Sequence, residues 1–261
     1  MNASQVSVSV VSHGQAGLVR ALLSDLNRYC SRSVAEILVT ENLNGGLDSL
    51  AKSASIPIRI VRNPLPKGFG ANHNHAFGLA SGSYYCVANP DIRLQQDPFE
   101  NLVACMESRR AALVAPRVVD ENGAIEDNAR FVPTPLTILE KALGVAKRLD
   151  YPISNNPFFP DWVAGMFMLF KREAFAQVGG FDERYYLYYE DVDICARLRL
   201  AGHKLVLCPS AVVTHAARRE SHRNPAYLRW HLASMFRFFS SATYSKYRRL
   251  CRNGSGGQRG Q

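Results

Sequence analysis

No pair of cysteines in this chain stands at CxxC spacing. The six cysteines (Cys30, Cys86, Cys105, Cys195, Cys208 and Cys251) are scattered through 261 residues, mostly inside apolar runs. A thiol in such a place is ordinary core filling, so neither a disulfide frame nor a structural zinc is expected. No apolar stretch approaches the roughly 18 residues that a membrane-spanning helix needs, and the longest, Trp162 to Phe170, is strand-sized. The first residues, MNASQVSVSVVSHG, have no basic n-region and enter a strand almost at once, which predicts no secretory signal and a reduced, cytoplasmic setting. Internal repeats are absent. A Walker pattern is absent too, and the dinucleotide fingerprint lacks its third glycine. Acid is nearly missing from one region. From residue 216 onward ten Lys/Arg face Glu220 alone, which accounts for the whole net charge of +9 and leaves a neutral body with a basic tail.

The composition that is present, 47% hydrophobic and 20% charged residues, belongs to a globular fold with ample core. Strands are read at Gln5 to Ser12, Ala35 to Thr40, Ile56 to Val61 and Tyr84 to Ala88. A helix follows the first through Leu18, Leu22 and Leu26, and another precedes the fourth from about Ala71 to Ala80. This alternation predicts an α/β fold with a doubly wound, mostly parallel sheet flanked by helices. Ligands of such sheets gather at the carboxyl ends of the strands, where His13, Glu41, Asn63 and Asp91 lie. The second half is less regular. Leu113 to Val118 reads as a strand, Leu136 to Leu149 as a short helix in a Pro-rich stretch, Trp162 to Phe170 as one strand, and Arg172 to Val178 as a small helix.

The residues with chemistry to offer cluster in a few places. Asn89-Pro90-Asp91 ends a strand with a rigid turn and a carboxylate, an oxygen ligand suited to a hard divalent cation, although all three are also plain turn formers. Thr214-His215 closes another apolar strand, and His215 gains weight as a ligand only if it meets Asp91. Gly68-Phe69-Gly70 precedes a helix and offers backbone N–H groups to an anion, with Asn72 on the first turn serving as a phosphate contact or a cap. His13, His73, His75 and His203 show no ligand spacing.

The run Tyr188 to Leu198 packs Glu190, Asp191 and Asp193 where a helix begins. At about 100° per residue Asp191 shares a stripe with Ile194, Cys195, Leu198 and Ala201, while Asp193 and Arg197 fall on the far side as an i,i+4 pair. A carboxylate on an inward stripe, kept ionised by the helix N-terminus, is a candidate proton acceptor. Asp193 reads as a structural partner of Arg197.

In order, VSVVSHG, VTEN, RNPLPKGFGANHNHAF, YYCVANPDI, the block from Asp161 to Gly202 with GGFDE and YYEDVD, and AVVTHAARRES resemble glycosyltransferase family 2, whose members have the GT-A fold. The likeness covers nearly the whole chain and leans toward bacterial dTDP-rhamnosyltransferases of O-antigen and lipopolysaccharide assembly. It implies donor contacts at His13, Glu41, Asn63, Gly68, Gly70, Asn72, Asn89 and Asp91. It further implies a Mg2+ or Mn2+ ion on Asp91 and His215, Asp191 as general base, and Trp162, Gly165 and Glu190 on the acceptor side. The family commonly has Asp where Glu41 stands, and often more than one carboxylate where Asn89-Pro90-Asp91 has one.

The expected organisation is a catalytic domain over residues 1–222 and a basic amphipathic helix with a tail over 223–261. Aromatics and arginines mixed from Tyr227 to Phe239 suit an anionic membrane surface, and no nucleic-acid module is evident. That would place the chain at the inner face of the bacterial plasma membrane, next to a glycan or polyprenyl-diphosphate-linked acceptor. Two alternatives remain open on the residues. One is a family 2 enzyme using UDP-GlcNAc, UDP-galactose or a galactofuranose donor; the other is a non-catalytic membrane-surface binding module.

Overall fold

The computed structural model describes residues 6–43, 45–47, 55–142, 149–216 and 225–254. Strand β1 (Val6–His13) lies inside an eight-stranded sheet, next to β2 (Val34–Leu43) on one side and β4 (Tyr84–Ala88) on the other, both parallel to it. Its Val-Ser alternation suggests one wet face, yet Ser7 and Ser9 are fully buried. Ser7 Oγ donates to Glu36, and Ser9 Oγ shares a 2.8 Å hydrogen bond with His73 Nδ1. Both faces are covered, as the central strand of a doubly wound sheet requires.

Beyond β2 lies β3 (Ile58–Arg62), again parallel. Past β4 the sheet continues through β9 (Phe167–Lys171), β6 (Leu113–Val119), β10 (Leu205–His215) and β5 (Ile92–Arg93), with β9 and β5 antiparallel to their neighbours. Helices α1 (Ala16–Tyr29) and α3 (Phe99–Arg109) cover one face through Val19, Leu22, Leu26, Leu102 and Met106. On the other face α2 (Phe69–Leu79), α5 (Arg172–Gln177) and α6 (Glu190–Leu200) contribute Ala76, Phe175, Ile194 and Leu198. The expected α/β architecture holds, with a mixed sheet.

Several elements differ from the sequence reading. β2 runs on to Leu43, so Glu41 and Asn42 are strand residues and not loop residues. The stretch Trp162 to Phe170 is two strands. β8 (Trp162–Val163) pairs with β7 (Ala129–Arg130) in a separate ribbon, and the chain turns through Ala164, Gly165 and Met166 before β9 starts. An apolar run has no periodicity that would reveal such a break. Helix α4 spans Pro135–Ala142, and the continuation expected over 143–148 lies outside the described residues. The expected single C-terminal helix is a pair, α7 (Pro225–Phe239) and α8 (Ala242–Gly254). Ser241 divides them by accepting the Tyr244 N–H on its Oγ as an N-cap. Phe238, Tyr244 and Tyr247 are buried, and the Tyr247 hydroxyl donates to the Asp161 carbonyl at 2.5 Å, so the pair is docked on the sheet's helical layer.

Candidate active site

The turn after β4 closes with Ile92 N–H donating to Asn89 O at 3.2 Å, and it hands Asp91 directly to the end of β10, where Ala216 N–H donates to Asp91 O. His215 pairs with Ile92 across the β10–β5 ladder. Its Nε2 stands 3.2 Å from Asp91 Oδ2 and its Nδ1 2.9 Å from Glu126 Oε2. The two residues that had to meet for His215 to matter are in contact. Burial alone would lower the His215 pKa, but the Asp91 and Glu126 carboxylates raise it to about 9. Asp91 Oδ1 is buried with no hydrogen-bond partner. Such an atom in a native site calls for a ligand, and the Asp91 carboxylate suits a hard divalent ion. His215, whose two ring nitrogens both face carboxylates, would join it as a donor only by giving up a proton to the ion. Among the described residues no group of three or more His, Cys, Asp or Glu is arranged to hold a metal, so substrate or water oxygens would complete any coordination sphere.

Asp191 sits at the second position of α6, half-buried, with each oxygen oriented. Oδ2 accepts the Gly165 N–H at 3.0 Å and Oδ1 the Val192 N–H at 2.8 Å. A Cβ placed on Gly165 would lie 3.5 Å from Asp191 Cβ, so the two residues are in contact. The sequence reading had the helix N-terminus keeping this carboxylate ionised. Burial is instead the largest influence and raises its pKa, while the two N–H bonds and nearby Arg130 oppose it. A base with a raised pKa holds a proton more strongly once it has taken one.

Asp191 and Asp91 are joined by short steps. Met166, next to Gly165, accepts the Asn89 N–H at 2.9 Å. Ala164 donates to Asn128 O at 2.9 Å, which ties the same turn to the segment carrying Glu126 and Arg130. The residues at positions 91, 191 and 215 therefore share one edge of the sheet. Glu126 and Arg130 were missed because 120–130 has neither helical nor strand periodicity. The nearest signal was the Asp-Glu-Asn-Gly turn that precedes them.

Glu190 and Trp162 turn inward. The Glu190 carboxyl is buried, its pKa raised first by burial and then by the Asp191 charge, and its Oε2 has no partner. Trp162 is buried and donates its indole N–H to Phe131 O at 2.8 Å, while the Arg130 guanidinium lies 5.3 Å from its ring centre. Asp193 does pair with Arg197 at 2.6 Å, but it is buried and not on an open face. Arg197 also donates to Val178 O, so the segment after α5 covers that side of the helix.

At the ends of β1, β2 and β3 most of the groups are neutral amides. Asn42 Oδ1 accepts from Asn63 Nδ2 at 2.7 Å and from Lys67 N–H at 2.8 Å, and Asn63 also donates to Asn72 Oδ1 at 2.6 Å. Asn42 Nδ2 donates to Lys67 O and lies 3.2 Å from the His13 ring nitrogens. Asn42, not singled out from the sequence, is thus the hub that gathers His13, Asn63 and Asn72. Glu41 is buried beside it. Its Oε1 accepts the Gly45 and Leu47 N–H groups, and its Oε2 pairs with Arg62 at 3.1 Å, holding the carboxyl below its usual range. Gly68 and Gly70 serve close packing. A Cβ on Gly68 would lie 2.7 Å from Tyr186 O, and one on Gly70 would lie 2.6 Å from Phe181 Cβ.

With this geometry in view, three comparisons bear on the chain. A model described as Glycosyl transferase family 2 matches residues 7–179, and one described as the N-terminal domain of galactosyltransferase matches residues 153–222. The Rhamnosyltransferase WbbL of Escherichia coli (strain K12) is 30% identical over 250 residues, spanning 90% of this chain and 92% of that protein. The N-acetylglucosaminyl-diphospho-decaprenol L-rhamnosyltransferase of Mycobacterium tuberculosis (strain CDC 1551 / Oshkosh) is 28% identical over 244 residues, spanning 84% of this chain and 78% of that protein. Among solved structures, GalNAc-T7 with UDP, GalNAc and Mn2+ superposes with a TM-score of 0.66 at 19% identity, over 88% of this chain and 48% of that one. This chain thus spans about half the length of GalNAc-T7. The mannosyltransferase PcManGT from Pyrobaculum calidifontis, in complex with GDP-Man and Mn2+, gives 0.60 at 16% identity, over 91% and 65%. These structures share the fold.

Proposed function

This chain belongs to glycosyl transferase family 2, and from that premise we propose that it is an inverting rhamnosyltransferase using dTDP-rhamnose. The acceptor is a hydroxyl of a glycan or polyprenyl-diphosphate-linked sugar in cell-envelope glycan synthesis, reached at the inner face of the bacterial plasma membrane. Residues 1–222 form the catalytic domain, and the basic segment 223–261 faces an anionic membrane.

The observation that carries the reading is the short path of contacts from Asp191 through Gly165, Met166 and Asn89 to Asp91 and His215. Asp191 removes the proton from the acceptor hydroxyl as that oxygen attacks the anomeric carbon from the face opposite the nucleotide, and the configuration inverts. The Gly165 and Val192 N–H groups hold its two oxygens in place for that transfer. Asn42, Asn63 and Asn72 form a platform for the nucleotide beside His13 and Glu41. Asp91 and His215 would hold a Mg2+ or Mn2+ ion, as the unpartnered Asp91 oxygen invites. Such an ion supplies positive charge to the departing diphosphate.

A donor panel with and without Mg2+ or Mn2+, read by thermal shift, tests this reading. Stabilisation by dTDP-rhamnose above other nucleotide sugars is expected, and Asp91→Ala should abolish the metal-dependent part. The match of residues 153–222 to a galactosyltransferase domain favours one rival, a UDP-galactose donor. Preferential stabilisation by UDP-galactose would replace the rhamnose assignment.

A further inference from the structure

The outer face of α7 carries three large apolar side chains on successive turns, Leu228, Leu232 and Phe236, which are 62%, 49% and 76% exposed. At 100° per residue they form a stripe roughly 80° wide. Arg229, about 20° past Phe236 around the helix, lies at the stripe's edge, and Arg237 lies about 100° past it; both are exposed. The inner face of the same helix is fully used. Ser234 Oγ donates to Leu187 O at 2.8 Å, Trp230 lies 4.8 Å from the Tyr186 ring, and His231 meets the Tyr188 and Tyr189 rings edge-on. Tyr188 and Tyr189 have φ of 69° and 66°, a left-handed conformation uncommon for bulky residues, and α7 packs against both just before Asp191.

Charge identifies what the outer face meets. Residues 225–254 contain no Asp or Glu, and α8 adds exposed Lys246 and Arg249 with exposed Leu250. No described helix is long and apolar enough to cross a membrane. A short helix with an apolar stripe, an arginine edge and no acid suits lying in the plane of an anionic lipid surface.

We propose that the Leu228–Leu232–Phe236 face of α7 seats on an anionic phospholipid bilayer. The stripe enters the boundary between headgroups and acyl chains, and the basic residues of α7 and α8 attract the lipid phosphates. Because the inner face of α7 grips residues 186–189, docking fixes Asp191 relative to the membrane plane, where a lipid-linked hydroxyl lies. This deepens the membrane reading of the C-terminal segment given above, on which it rests, by naming the surface.

The test is flotation of the full chain with vesicles of phosphatidylcholine alone and of phosphatidylcholine with phosphatidylglycerol. The chain should float with the anionic vesicles only. A Leu232→Ser, Phe236→Ser double variant should bind about tenfold more weakly or worse, with an unchanged thermal midpoint. Arg229→Gln and Arg237→Gln should each cost about fivefold, in a salt-sensitive way. Failure of the parent chain to float would overturn the membrane reading itself. If it floats and the double variant floats equally well, the membrane reading stands and this face is wrong. Concentration-dependent dimerisation that the double variant loses, without vesicle binding, would assign the face to a second copy and overturn the proposal.

Discussion

The two ends of the sheet's carboxyl edge are built from opposite chemistry. At β1, β2 and β3 the side chains are mostly amides that satisfy one another, with Asn42, Asn63, Asn72 and the Lys67 backbone closing a network. At β4, β9, β10 and the start of α6 they are ionisable, and two carboxylate oxygens, Asp91 Oδ1 and Glu190 Oε2, are left over, whereas the buried atoms left without a partner at the ends of β1 and β2 are hydroxyls, Ser12 Oγ and Thr40 Oγ1. An amide network whose members satisfy one another is rigid and inert, whereas an unpartnered buried carboxylate oxygen invites a cation or a proton. The contrast also appears between single carboxylates. Glu41, with three hydrogen-bond donors, has a lowered pKa; Asp191, mastered by burial, has a raised one. By this criterion the proposed roles divide: the first end would position the donor and the second would carry the reaction.

The sharpest way to break that division is Asp191→Asn. Turnover should fall about 10²- to 10⁴-fold while donor affinity stays near that of the parent, measured by sugar transfer beside donor titration. The pH profile gives a second reading. Because the Asp191 pKa is raised, activity in the parent should rise with pH through a step above the ordinary carboxylate range. A step at or below that range would deny burial its controlling part. Full transfer by the Asn variant would move the base elsewhere.

Next in size is Glu126→Gln. Glu126 touches His215 and not Asp91, so it orients the imidazole from behind. Outer partners of this kind typically change metal affinity by about 10- to 100-fold. Calorimetry with Mn2+ and dTDP should show that loss, with metal-free nucleotide binding unaltered. Equal metal affinity in the two proteins would leave Glu126 as a surface residue with a chance neighbour.

These two tests bear unequally on what the sequence reveals. Asp191, Asp91 and His215 were legible because each sits at the end of a regular element, and the ends of parallel strands and the starts of helices are brought together by the topology itself. Glu126 and Arg130 were not, since Glu126 is placed by a hairpin contact of its N–H to Val118 O across the turn, and Arg130 by pairing with β8 more than 30 positions away. The split of β8 from β9 was hidden inside an apolar run, with Gly165 as its one local sign. The pairing of Asp193 with Arg197 was legible but its burial was not, because a helical stripe records one packing surface and α6 has a second under the segment carrying Val178.

A smaller effect is expected at the amide end. Asn42→Ala removes its bonds to the Lys67 N–H, the Lys67 carbonyl and Asn63, partly buried bonds at a rim where Lys67 is exposed and where Asn72 still serves the carbonyl and Asn63, so it should cost about 0.5–1.5 kcal/mol of stability. Urea unfolding measures this directly. Donor affinity should fall with it, because the platform loses its hub. A variant of parental stability would mean that water repairs the network and that the first end is less rigid than the hydrogen bonds imply.

The smallest effect, and the cleanest in sign, belongs to Glu41→Gln. Arg62 is 54% exposed, so the ion pair adds about 0–1 kcal/mol, and the amide oxygen can still accept from Gly45 and Leu47. The Glu41 pKa lies below its unfolded value, so its contribution is complete at neutral pH and disappears as pH falls through the folded pKa. Thermal midpoints of parent and variant should therefore differ slightly near pH 7 and converge in acid. A gap that widened in acid would mean that the carboxyl is destabilised by its site, as Asp191 is, and the division between the two ends would fail at its simplest point.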